Sequence, residues 1–131
     1  RSVGEALLVP HRCFWKAVKS ALDSRFPLHG IAHITGGGLY DNVPRVLPEG
    51  VAVHFDARRI RRVPPIFKLI ERTGAIDPYE MYRVFNMGVG MVWFVPAEAA
   101  ERGLQIVRNA GFMADVIGEV TEGDRKVTIT L

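Results

Sequence analysis

Proline and glycine cut this chain into short lengths, and that punctuation restricts it to brief helices and strands. Eight prolines and thirteen glycines are spread through 131 residues. Proline lacks an amide hydrogen and fixes φ, so it ends helices or starts them. Between the breaks the apolar period changes repeatedly. Val3–Pro10 reads as a strand or extended arm ended by its proline. Phe14–Arg25 turns helical, with Phe14, Val18, Ala21 and Leu22 on one face and Lys16, Lys19, Ser20 and Asp23 opposite. Gly30–Ile34 and Val51–Phe55 read as short strands. Pro64-Pro65 starts a helix carrying Ile66, Leu69 and Ile70, with Gly74 as its stop.

Asp77-Pro78 caps a short helix through Tyr82. Gly88–Val95 is continuously apolar, as expected of a strand buried on both faces. Pro96 opens a helix that turns Ala100, Leu104 and Val107 inward and stops at Gly111. Val116–Val120 and Lys126–Thr130 predict a hairpin around Glu122-Gly123-Asp124. Alternating strands and helices followed by an antiparallel pair make an α+β fold, a mixed sheet layered with helices. No repeat or linker divides residues 1–131, so one domain is expected.

Composition narrows the function. Apolar residues are 48% and charged residues 24%, values ordinary for a globular protein with a core. The single cysteine, Cys13, leaves no partner for an internal disulfide. The apolar runs are too short to span a bilayer and the first residues lack the layout of a secretory signal, so a cytoplasmic protein is expected. The opening Arg1, without a methionine, reads as a domain of a longer protein. The formal charge is +3, and its densest run is Arg58-Arg59-Ile60-Arg61-Arg62. No aromatic platform accompanies that run, so it reads as a solvated turn and no nucleic-acid or membrane partner is expected. The carboxylates are scattered and His11, His29, His33 and His54 lack ligand spacing, so no metal site is expected in the chain.

One segment carries most of the chemistry: His33-Ile34-Thr35-Gly36-Gly37-Gly38-Leu39-Tyr40-Asp41-Asn42-Val43-Pro44-Arg45. Three glycines after a strand allow close approach to a ligand and can aim several N–H groups at one anion. A helix starting near Gly38 would add its partial positive charge. Thr35 can add a hydroxyl and Arg45 a forked, charge-assisted contact. His33 can bond a polar group or exchange a proton near neutrality. The competing reading is a tight strand-to-helix turn in which glycine serves packing alone. The lysine of a Walker loop is missing.

A second segment is Glu80-Met81-Tyr82-Arg83-Val84-Phe85-Asn86-Met87-Gly88-Val89-Gly90-Met91. Arg83 and Asn86 come just before the apolar run, at a sheet edge where sites often form. Gly88 and Gly90 invite close approach, by a ligand or by a packed element; in the second case Arg83 pairs with Glu80 one turn back.

Together these segments resemble the aminoimidazole ribonucleotide synthetase family, in its C-terminal half. The likeness runs from Val3-Gly4-Glu5-Ala6-Leu7-Leu8 through Gly30–Gly50 and Pro65-Ile66-Phe67. Its most specific part is Met81–Met91, and it weakens over the last strands. Hydrogenase maturation factors and selenophosphate synthetases carry similar glycine turns but are not expected to share Met81–Met91. A non-catalytic anion- or RNA-binding module is the rival from another class.

The resemblance implies an ATP-dependent cyclo-ligase acting in purine biosynthesis. An N-terminal domain outside this chain would supply most of the ATP and Mg²⁺ site, and the full-length enzyme would be a homodimer. Formylglycinamidine ribonucleotide would lie between the domains and pass through an iminophosphate to 5-aminoimidazole ribonucleotide. Carried onto this sequence, Gly36, Gly37 and Gly38 would form a substrate- or phosphate-binding wall. His33, Thr35, Asn42 and Asn86 would face the cleft, with His33 the candidate catalytic group and Arg45 and Arg83 as further binding candidates. After Pro10 the family continues with threonine where this chain has His11-Arg12-Cys13. This fragment alone is expected to fold without catalysing.

Overall fold

The breaks become element ends in the computed structural model, which describes residues 1–131. Six helices and five strands follow in the order α1 (Val3–Leu7), α2 (Trp15–Asp23), β1 (Gly30–His33), α3 (Gly38–Asn42), β2 (Val51–Asp56), α4 (Pro65–Gly74), α5 (Pro78–Val84), β3 (Met91–Phe94), α6 (Ala100–Asn109), β4 (Gly118–Glu122) and β5 (Val127–Thr130). Short 3-10 turns follow α3 and β2 and precede α6.

The strands form two sheets. β1 pairs antiparallel with β3, His33 lying opposite Met91. The other sheet has the order β4-β2-β5, with β2 antiparallel to β4 and parallel to β5. The architecture is thus a mixed α/β fold, with helices packed on a mixed sheet. One core cluster draws Ala32, Ile34, Leu39, Phe55, Met81, Val92 and Ile129 from both sheets and from α3 and α5. Burying each large side chain of that set stabilises the fold by about 1.5–3 kcal/mol.

Several expectations change. The arm Val3–Pro10 is a helix in its first half, because Ser2 and Glu5 form a capping box. Ser2 Oγ accepts from the Glu5 N–H at 3.1 Å, and Glu5 Oε2 accepts from the Ser2 N–H at 2.7 Å. The expected C-terminal hairpin does not form. β4 and β5 take opposite edges of β2, and the connection folds back where Gly123 N–H donates to Gly50 O and Arg125 N–H to Val51 O. β2 holds the buried Val53 and Phe55, and pairing on both edges satisfies its backbone.

The apolar run Gly88–Val95 yields only a four-residue strand. Met87 and Gly88 have φ of 50° and 93°, so the run opens as a left-handed turn. Only Val92 in β3 is buried, and Met91, Trp93 and Phe94 are half-buried, so β3 is not covered on both faces. α4 ends one residue later than expected: Ala75, with φ of 49°, takes the left-handed position expected of Gly74.

The arginine run is engaged on the surface. Arg58 and Arg59 converge on Asp56 at 2.8 and 4.0 Å, and Arg61 meets Asp115 at 3.4 Å. The hydrogen bonds from Arg58 hold the Asp56 carboxyl down to about 2. No helix is long and apolar enough to cross a membrane.

Candidate active site: the glycine turn and its pocket

β1 ends at His33, and the buried Ile34 anchors the chain by donating its N–H to Gly90 O at 3.0 Å. The turn Thr35–Gly38 then reverses direction into α3. Gly37 and Gly38 have φ of 92° and 60°, in the region that favours glycine. A Cβ on Gly38 would strike the carbonyl oxygens of Tyr82 and Phe85, so this turn lies directly on the end of α5. One on Gly37 would lie 2.6 Å from the Cβ of Asp41.

The amides divide into two groups. Gly37 N–H donates to Val84 O at 3.2 Å and Gly38 N–H to Thr35 O at 3.0 Å, so both are used inside the fold. The N–H groups of Thr35 and Gly36 have no partner in the chain, and both residues are exposed. The amides left free for a ligand are therefore those of Thr35 and Gly36, one step earlier than the glycine count suggests. Gly37 and Gly38 serve packing.

Asn42 leaves the cleft. Its side chain, expected to face a ligand, is 4% exposed and lies inside the turn. The amide donates to Thr35 O at 3.3 Å, Gly36 O at 3.3 Å and Gly38 O at 2.8 Å, while Oδ1 accepts from Thr35 Oγ1 at 3.2 Å. It is the one buried polar side chain, and it is fully satisfied. Its task is to hold the turn's carbonyls inward, which leaves the Thr35 and Gly36 amides outward.

A shallow pocket of about 340 Å³ opens beside this turn. His33, Thr35, Gly36 and Asn86 line it, joined by His11, Ile34, Phe67, Val84 and Phe85. Asn86 is fixed by its own turn, its Oδ1 accepting from Gly88 N–H at 3.0 Å. Phe67 of α4 and Phe85 form the apolar wall, ring centroids 5.4 Å apart. Four of the expected residues thus meet in one place.

The two arginines do not. Arg45 lies exposed on the 3-10 turn after α3, and neither it nor Arg83 lines the pocket. Arg83 does not pair with Glu80; its guanidinium stacks over Tyr40 at 4.7 Å. Burial raises the Tyr40 hydroxyl above its ordinary range, and Arg83 pulls partly the other way.

Gly88 and Gly90 are occupied by packing. A Cβ on Gly88 would lie 2.7 Å from Arg62 O, and one on Gly90 would enter the ring of Phe14. Sequence reasoning missed the apolar wall and weighed His11 as a histidine without metal-ligand spacing and as a departure from the family pattern, not as a pocket residue. Phe67 and Phe85 stand among other apolar residues, Ile66 and Val84, and nothing local marks them as a pocket wall. No three His, Cys, Asp or Glu side chains stand close enough together to hold a metal ion.

This geometry has relatives. Residues 2–130 match the family described as AIR synthase related protein, C-terminal domain. The chain belongs to that family.

Curated relatives of this chain carry the name phosphoribosylformylglycinamidine cyclo-ligase. That of Pseudothermotoga lettingae is 43% identical over 98% of the chain, and the match occupies 37% of the relative. A chloroplastic one from Arabidopsis thaliana is 43% identical over 94% of the chain and 31% of its own length. The chain therefore spans between 31% and 37% of the length of these relatives. Among solved structures, the hydrogenase maturation protein HypE superimposes with a TM-score of 0.70 over 88% of the chain and 38% of HypE, at 19% identity, a likeness of fold alone.

Proposed function

We propose that this chain is the C-terminal, substrate-binding part of an ATP-dependent cyclo-ligase that converts formylglycinamidine ribonucleotide to 5-aminoimidazole ribonucleotide. The observation that carries the reading is the meeting of the Thr35–Gly36 turn with Asn86, from the family-specific stretch, around one pocket. The 43% identity to cyclo-ligases over nearly the whole chain supports the same reading.

In this reading the outward amides of Thr35 and Gly36 bind an anionic group, the substrate phosphate or the phosphoryl group in transfer. Asn86 orients the polar formylglycinamidine portion against the Phe67–Phe85 wall. ATP phosphorylates the formyl-amide oxygen, and an amidine nitrogen attacks that carbon and displaces phosphate. The ring closure releases a proton, and His33, one of the two imidazoles lining the pocket, is the group suited to receive it. The donor set here does not suit Mg²⁺, so the metal and most ATP contacts belong to an N-terminal half, and no step is derived through them. An open groove of about 2020 Å³, lined in part by Val9, Phe67, Leu104 and Val120, offers that half an apolar surface to dock against. The full enzyme works as a cytoplasmic homodimer, and residues 1–131 alone are inactive.

The test is a chimera in which this chain replaces the matching C-terminal part of the Pseudothermotoga lettingae relative. ATP-dependent appearance of the aminoimidazole product is expected. His33→Ala should lower kcat on the order of 10²-fold. A folded chimera that binds ATP but leaves formylglycinamidine ribonucleotide unchanged would overturn the reading.

A further inference from the structure

His11 and His33 are 22 positions apart in sequence, yet their Nε2 atoms lie 2.8 Å apart. The rings cross at 74° with centroids 4.9 Å apart. His11 also meets Phe14 edge-on at 5.7 Å, and Phe14 fills the space where a side chain at Gly90 would stand. The carbonyl of Gly90 in turn accepts from Ile34, the residue after His33. Two routes, one direct and one through Phe14 and Gly90, therefore fix the arm's histidine relative to the strand end. Both rings line the pocket beside Thr35, Gly36 and Asn86. Neither imidazole bonds any other group of the chain or joins an ion pair with a carboxylate.

An imidazole–imidazole hydrogen bond needs one ring as donor and the other as acceptor. Nε2 of His33 is committed to that bond, which leaves Nδ1 as its ring nitrogen for a ligand. With His33 donating, its Nδ1 carries a lone pair and can take a proton from a ligand N–H. The Nε2 proton of His33 then crosses to Nε2 of His11. A bond from hydrogen to Nδ1 of His33 and one to Nε2 of His11 form; the ligand N–H and the Nε2–H of His33 break. His33 ends neutral and His11 ends as the imidazolium, so the positive charge moves away from the reacting centre.

We propose that His11 is the positioning partner and proton acceptor of His33, which thereby receives the ring-closure proton at Nδ1. The assignment of that proton rests on the cyclo-ligase reading; the pairing of the rings does not. The pairing is tested on this chain by imidazole ¹⁵N NMR, which distinguishes the tautomers. His33 is expected in a single form, protonated at Nε2. His11→Phe, which keeps an aromatic ring beside Phe14, should convert His33 to a mixture of both tautomers. His11→Gln, whose amide oxygen accepts a hydrogen bond, should restore the single form. Unchanged His33 shifts in His11→Phe would overturn the pairing, and so would a spectrum altered by EDTA, which would mean a metal bridging the rings.

The proton role is read in the chimera. Both His11→Phe and His11→Gln should lower kcat by at least about tenfold with KM little changed, because glutamine holds the ring but takes no proton. Equal kcat in the wild-type and His11→Gln chimeras would sink the proton role. A chimera with no turnover at all would instead count against the cyclo-ligase reading, with the NMR result still deciding the pairing.

Discussion

Asn42 carries the glycine turn at the scale of one residue. Three backbone carbonyls converge on its amide, and no neighbouring side chain replaces it. Asn42→Ala leaves those carbonyls without a donor in a dry interior and should cost about 2–3 kcal/mol. Urea unfolding measures this, and a loss below about 0.5 kcal/mol would mean that the turn holds its own shape. Asp56 makes a second residue-scale prediction. Its folded carboxyl titrates at about 2, below the ordinary 3.8, because Arg58 bonds the charged form. The folded state then binds fewer protons than the unfolded one between those values. The contribution is complete above about pH 4 and fades as pH falls through about 2. The Tm gap between wild type and Asp56→Asn should therefore narrow over that window; a gap independent of pH would contradict it. The sequence announced that residues 33–45 mattered, but not that Asn42 faces inward. An amide four to seven positions from the carbonyls it binds reads identically whether it meets a ligand or its own loop.

The strand-to-helix element shows why glycine number alone is a poor guide to function. Gly36 meets nothing within 4 Å of an added Cβ, while Gly38 is pressed against the carbonyls ending α5. Gly36→Ala should leave stability within about 0.5 kcal/mol of wild type. Gly38→Ala combines a positive φ with a clash against backbone, and a loss of several kcal/mol or failure to fold is expected. Equal stability of the two variants by thermal melting would refute this account of the turn. Elements with a local signal were legible: the proline at the start of α4, Asp77 capping α5, and the glycine after α6 all mark real boundaries. α1 was legible too, through Ser2 and Glu5, but the apolar run ended by Pro10 pointed to an extended arm. What failed was pairing. Nothing in Val116–Thr130 distinguishes a hairpin from two strands that clasp a third, because the choice belongs to β2, more than sixty residues earlier.

For the whole molecule, that clasp ties the C-terminal strand into the core. Ile129 is 6% exposed and belongs to the same cluster as Ile34 and Met81, next to the site. Ile129→Ala should cost about 2–5 kcal/mol, and since the core is shared it should also loosen the glycine turn. Hydrogen exchange at Gly37 and Gly38 would reveal the coupling; a loss confined to β5 amides would show two independent halves. The family resemblance anticipated the fold class and the family. It did not anticipate which residues share the pocket, since Phe67, Phe85 and His11 reach it through packing across the chain.

The parallel pairing of β2 with β5 also sets a timetable. Val53 and its partner Val127 are 74 positions apart. At about 5–20 residues per second, a ribosome needs roughly 4–15 seconds to deliver the second after the first. Through that interval β2 has an unpaired edge and an uncovered Phe55 side chain, both attractive to another nascent copy. Crowded translation of this gene should thus be limited by what guards that edge, and slowing synthesis downstream of β2 should lower the soluble yield even though the finished protein is identical.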